Sequence, residues 1–90
     1  RQRLMAAWGG GIRAAVQRRL RPVPGAAGTA RVRLAVTDGG RLAGAQLVAS
    51  SGHTAFDRAA LAAVRAARFP RAPDGLPAGP HAFTLPLTQR

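Results

Sequence analysis

A chain of 90 residues with 14 arginines, three aspartates and a formal net charge of +11 makes one small, strongly basic domain. Such a length buries only about 60–65% of the surface its unfolded form exposes, so stability is modest unless a partner or a second copy adds surface. The absence of cysteine excludes disulfides and thiolate metal sites, and no run approaches the roughly 20 apolar residues of a membrane-spanning helix.

Met5, Trp8, Ile12, Val16 and Leu20 recur at spacings of three and four, the apolar face of an amphipathic helix over about residues 3–20. Gly9, Gly10 and Gly11 each cost about 1 kcal/mol in a helix interior, so fraying, or a start only near Ile12, is expected there. Pro22 and Pro24 close the segment. After a short linker, Val32, Leu34 and Val36 alternate with Arg31, Arg33, Ala35 and Thr37, a half-exposed strand over about 30–37. Asp38-Gly39-Gly40 offers the positive φ angles of a hairpin turn. The next strand, about 41–50, slips phase by one residue between Leu42 and Ala45, which predicts a bulge at Gly44. Ser51-Gly52-His53 turns the chain. Thr54 is expected as N-cap of a helix over about 55–68, with Asp57 as its capping-box partner, and Pro70 stops it. A Pro/Gly-rich loop leads to Phe83, Leu85 and Leu87 alternating with Thr84, Pro86 and Thr88. This is a last strand, about 81–88, which its proline marks as an edge strand. Trp8, Phe56, Phe69 and Phe83 are the large pieces available to anchor a core. The order helix-strand-strand-helix-strand predicts an α+β fold: a three-stranded antiparallel sheet with two helices on one face.

Several residue groups invite chemistry and fail its requirements. Ser51, His53 and Asp57 lie within seven residues, but no nucleophile-elbow pattern surrounds the serine. His53 and His81, with three scattered aspartates, make a poor metal site, and no two carboxylates sit at acid/base spacing. No catalytic residue, metal or cofactor is expected. The arginines are the stronger signal. Arg31 and Arg33 share a strand face, and Arg13, Arg18, Arg19 and Arg21 cluster around the first helix, suiting nucleic acid, lipid phosphates or acidic protein segments. Sheets that bind nucleic acid usually add exposed aromatics for stacking. Here the outward strand positions hold Arg, Ala, Thr and Gln, so a solvated basic face is expected rather than a nucleic-acid site.

An ordered set of short patterns resembles the C-terminal domain of TonB-family energy transducers. It comprises Trp8, Ile12, Val16 and Leu20 followed by Pro22; Gly28, Val32, Leu34 and Val36 running into Asp38-Gly39; Ser50-Ser51-Gly52 with Phe56-Asp57, Ala59-Ala60-Leu61, Val64 and Ala67; Phe69-Pro70; and Phe83-Thr84-Leu85-Pro86-Leu87. The resemblance implies a periplasmic domain of a protein anchored in the bacterial inner membrane. Such a domain docks the TonB box of an outer-membrane transporter by strand addition and passes on proton-motive-force energy from an ExbB/ExbD-type motor for nutrient uptake, of the iron-siderophore or haem type. By position it implies His81, Ala82, Phe83, Thr84, Leu85, Pro86, Leu87 and Thr88 as the docking strand, with Arg21 and Pro22, in place of the family's Tyr-Pro, near the incoming partner. The chain opens on Arg1 rather than Met and is read as a segment of a longer transducer whose membrane anchor lies upstream. Pro86 removes one donor from the docking strand. A TolA-like envelope-integrity domain, or a small basic nucleic-acid-binding domain, is the alternative. An exposed edge also leaves a homodimer open.

Overall fold

The computed structural model describes residues 2–90 and contains five elements: α1 (Gln2–Gln17), β1 (Gly28–Val36), β2 (Leu42–Ala49), α2 (Thr54–Ala66) and β3 (His81–Gln89). The strands form one antiparallel sheet in the order β2-β1-β3. The expected order, strand number and layer arrangement are all present.

The alternation in β1 dictates the layers. Ala30, Val32, Leu34 and Val36 are sealed from solvent while Thr29, Arg31 and Arg33 are exposed. Both helices cover the apolar side. Trp8, Ile12, Ala15 and Val16 come from α1, Phe56, Ala60, Ala63 and Val64 from α2, and Leu85 and Leu87 from β3. Each fully buried aliphatic or aromatic side chain contributes about 1.5–3 kcal/mol. Phe69 and Phe83, expected as core anchors, are only half-buried and lie against the rim of this cluster. The core is filled mainly by aliphatic side chains, drawn in equal measure from β1, α1 and α2.

Three local expectations are corrected. First, α1 runs unbroken through Gly9-Gly10-Gly11 and ends at Gln17, where Arg19 N–H reaches Val16 O and Leu20 N–H reaches Gln17 O in a tightened last turn. Burial of Trp8 on one side of the glycines and of Ile12, Ala15 and Val16 on the other outweighs their propensity cost. Second, β2 is bulged twice. Ala35 faces Gly44 but Val36 faces Leu42, and Arg31 faces Ala49 but Val32 faces Leu47. Ala43 and Val48 are the extra residues, so the first bulge lies beside Gly44 and the second has no sequence signal. Third, α2 begins at Thr54, after His53 in extended conformation with no side-chain cap, and ends at Ala66.

The turn between β1 and β2 also anchors the loop that leads to β3. Only Gly40 in the Asp38-Gly39-Gly40 turn has positive φ (84°). A Cβ there would stand 2.6 Å from the Phe69 carbonyl oxygen, so glycine is needed for the close approach as well as the angle. Ala72 N–H donates to Asp38 O (2.8 Å), Gly79 N–H to the Asp38 carboxylate (3.0 Å), and the Trp8 indole to Pro70 O (2.9 Å). A loop rich in Pro and Gly is thereby fixed at several points, and β3 enters the sheet at a defined register.

Candidate functional site: the open edge of the last strand

With β1 in the centre, both β2 and β3 are edges, and the two differ. β2 carries two bulges, which twist and blunt an edge against further pairing. β3 pairs with β1 in an unbroken register from Gly28 opposite Gln89 to Val36 opposite His81. It is the regular edge of the sheet.

Which groups point outward along it follows from one bond. Thr37 N–H donates to Arg41 O, on the β2 side. Successive backbone N–H and C=O groups alternate sides along a strand, so the odd residues of β1 address β2 and the even ones address β3. The β3 partners of those even residues are His81, Phe83, Leu85, Leu87 and Gln89. Ala82, Thr84, Pro86 and Thr88 therefore turn their backbone groups to the open side. The side chains agree: Thr29 and Thr88 hydroxyls meet at 2.9 Å, the close approach of a pair without backbone bonds between them. Pro86 costs the sheet no hydrogen bond because its nitrogen faces outward. The open edge offers three donors, at Ala82, Thr84 and Thr88, and four carbonyls.

The side chains of this strand divide between two jobs. Leu85 and Leu87 turn into the core, and Phe83 lies edge-on to Trp8 (centroids 5.3 Å apart). His81 also meets Trp8 edge-on, and its Nε2 lies 2.8 Å from Pro77 O and 3.8 Å from the Asp38 carboxylate. Ala82, Thr84 and Thr88 are exposed. Val23, just past the exposed Arg21 and Pro22, is held to the far end of the strand by Gln89. The Gln89 side-chain oxygen accepts Val23 N–H (2.7 Å), and its amide donates to Val23 O and Ala26 O. Arg21 itself lies beside Arg19 and Ala59, Ala62 and Ala66 of α2, and the linker is joined to β3 through Val23 and Ala26. Sequence reasoning missed the Gln89 clasp, for which a lone glutamine gives no signal.

Ser50, Ser51 and Asp57 form a knot rather than a cap or a relay. The Asp57 carboxylate accepts the Ser50 hydroxyl, Ser51 N–H (2.8 Å) and the Ser51 hydroxyl (2.7 Å). The His53 partner of Ser51 Oγ is its backbone, not its ring. These bonds, led by the Ser50 hydroxyl and followed by Ser51 N–H, hold the Asp57 carboxyl below the ordinary aspartate range. The native pKa lies below the unfolded one, so the stabilisation is complete above about pH 4 and is lost as pH falls through the native value. We expect the thermal midpoint of the wild type to drop on acidification from about pH 4 towards about pH 2, and that of Asp57→Asn to start lower and fall less over the same range.

The basic side chains remain unneutralised. Among the described residues, no arginine lies within ion-pair distance of a carboxylate. Arg31 and Arg33 stand on the uncovered sheet face, and Arg13 beside the open edge.

The family profile described as "Gram-negative bacterial TonB protein C-terminal" matches residues 24–88. The chain belongs to this TonB C-terminal family. The match spans everything from the linker to β3. No curated protein sequence matches the chain significantly. Among solved structures it is similar to TolAIII, determined in solution bound to a peptide derived from the N-terminus of TolB. The TM-score is 0.78 at 23% identity, over 93% of this chain and 73% of that one. That similarity includes α1 and speaks for the fold. A TonB-family domain of this fold is a periplasmic protein-binding module.

Proposed function

We propose that β3 captures an extended segment of an outer-membrane transporter, its TonB box, as a fourth strand. The domain would then hand on force supplied by an ExbB/ExbD-type motor through the membrane-anchored part of a full-length transducer, powering nutrient uptake of the iron-siderophore or haem type. The observation that carries this reading is the edge itself: a straight, unbulged strand with outward donors at Ala82, Thr84 and Thr88. Backbone pairing suits the task. Each added bond contributes a net of about 0.5–1.5 kcal/mol, and side-chain contacts beside the strand select the partner. Unpaired arginines steer an acidic partner towards the edge.

A second reading, a TolA-like envelope partner, draws on the similarity to TolAIII. Both use the same edge and differ in the peptide. Titrating the isotope-labelled domain with a TonB-box peptide, and separately with a peptide from the N-terminus of TolB, distinguishes them. Amide shifts centred on Ala82, Thr84 and Thr88 with the first peptide alone support transporter docking; the same shifts with the second alone support the TolA-like role. An unmoved β3, with a duplex oligonucleotide shifting Arg31 and Arg33, would overturn both in favour of the basic face.

A further inference from the structure

Two of the three glycines of α1, Gly9 and Gly10, have a second consequence, beside the open edge of the sheet. Ala6, Gly9, Gly10 and Arg13 face Phe83, Thr84 and Leu85 across an open groove of about 330 Å³. Glycine makes this groove. A Cβ at Gly9 would lie 3.5 Å from the Phe83 ring, in van der Waals contact, and one at Gly10 would meet nothing within 4 Å. Larger residues on that strip of α1 would fill the space beside the strand. Arg13 stands at one end of the strip, exposed and without an acidic partner.

Pro86 bears on the same place. An added strand finds both a donor and an acceptor at Ala82 and Thr84 but only an acceptor at Pro86. The best-bonded part of the edge is therefore its first half, beside the groove. A strand added there lies about 4.8 Å outside β3, and alternate side chains project to the helix side, about 6.8 Å apart. Along α1, the rise from Gly10 to Arg13 is about 4.5 Å and from Gly9 about 6 Å. Two consecutive helix-side positions of the incoming strand thus meet the glycine floor and the guanidinium.

Building on strand addition at β3, we propose that the groove selects an incoming segment with an apolar and an acidic side chain two residues apart. The apolar one sits over Gly9 and Gly10, and the acidic one pairs with Arg13. Their order along the segment follows from the polarity of the added strand. The net charge of +11 and the single unpaired cation at the groove fit a carboxylate and oppose a lysine or arginine at that position.

Short synthetic extended peptides carrying Leu-x-Asp, Asp-x-Leu, or the same with Arg for Asp test this by calorimetry, with amide shifts as a second readout. One of the two acidic orders should bind the wild type and shift Ala82 and Thr84. Gly10→Leu fills an unobstructed helix site with a better helix former, so the fold is kept; binding is expected to weaken about tenfold or more, equivalent to about 1.4 kcal/mol. Arg13→Glu should lose the acidic peptide by a similar factor and gain the arginine-bearing one. If the wild type shows the β3 shifts but Gly10→Leu and Arg13→Glu bind every peptide as tightly, the groove reading is overturned and strand addition stands. If no peptide moves β3, strand addition falls, and the groove reading with it.

Discussion

Phe56→Ala is expected to destabilise the domain by about 3–5 kcal/mol and to leave it substantially unfolded at physiological temperature. Phe56 is the largest side chain wholly sealed from solvent. It enters from the first turn of α2, within the cluster formed by β1, both helices and Leu85 and Leu87. Its neighbours are held from several directions: β1 is paired on both sides, and α2 is tied to the end of β2 by the Asp57 knot. Such a site cannot collapse onto the vacancy, which puts the cost towards the upper end. A domain of this size holds a total of about 5–13 kcal/mol, so most of the stability is removed. Thermal denaturation followed by circular dichroism should show the midpoint falling by about 15–30 °C. A drop of only a few degrees would mean that the core is malleable. Phe83→Ala offers the contrast. Its ring is half-buried on the rim beside Gly9, so it should cost less and act on the docking groove instead.

Much of this architecture is legible in the residues, and the parts that are not share a cause. Strand β1 is written in its own alternation, since a period of two with Val and Leu inward has one stable placement. Helix α1 is written in the spacing of Trp8, Ile12 and Val16, even though its glycines argue locally for a break. Asp57 shows the limit of local reasoning. Three residues after Thr54 it fits a capping box, yet two serine hydroxyls and a backbone N–H from the preceding turn take its carboxylate away from the helix end. Only the path of the turn decides that. The bulge at Val48, the Gln89 clasp and the capture of Trp8 by Pro70 O likewise depend on elements distant in sequence. The open edge is flagged by Pro86, but its availability rests on strand order. A β1-β2 hairpin followed by a helix leaves β3 free to join either side. Joining at β1 leaves β3 unpaired on its outer side and makes the twice-bulged β2 the other edge.

The alternation of backbone groups along β3 predicts opposite outcomes for proline at two adjacent positions. Leu85 addresses β1 opposite Val32. Leu85→Pro removes a ladder bond, leaving a buried carbonyl unpaired at a cost of about 1–3 kcal/mol. It also trims a side chain that is only 4% exposed in the core, and loss of cooperative folding is expected. Thr84 faces the open side. At that position proline removes a donor that β1 does not use, the preceding Phe83 is already in the extended conformation that proline demands, and Pro86 shows that the strand accepts the ring. Thr84→Pro should therefore melt within a few degrees of the wild type. Its effect falls on docking. With a second proline ring beside that of Pro86 on the open edge, only Ala82 and Thr88 keep donors, too far apart to seat a continuous strand, and the new ring stands where the partner backbone would lie. Binding of a TonB-box peptide is expected to weaken by more than about tenfold, with the Ala82 amide shift abolished. A Thr84→Pro domain that melts normally and still binds would rule out β3 as the docking edge. One that unfolds like Leu85→Pro would reverse the assignment of which backbone groups face outward.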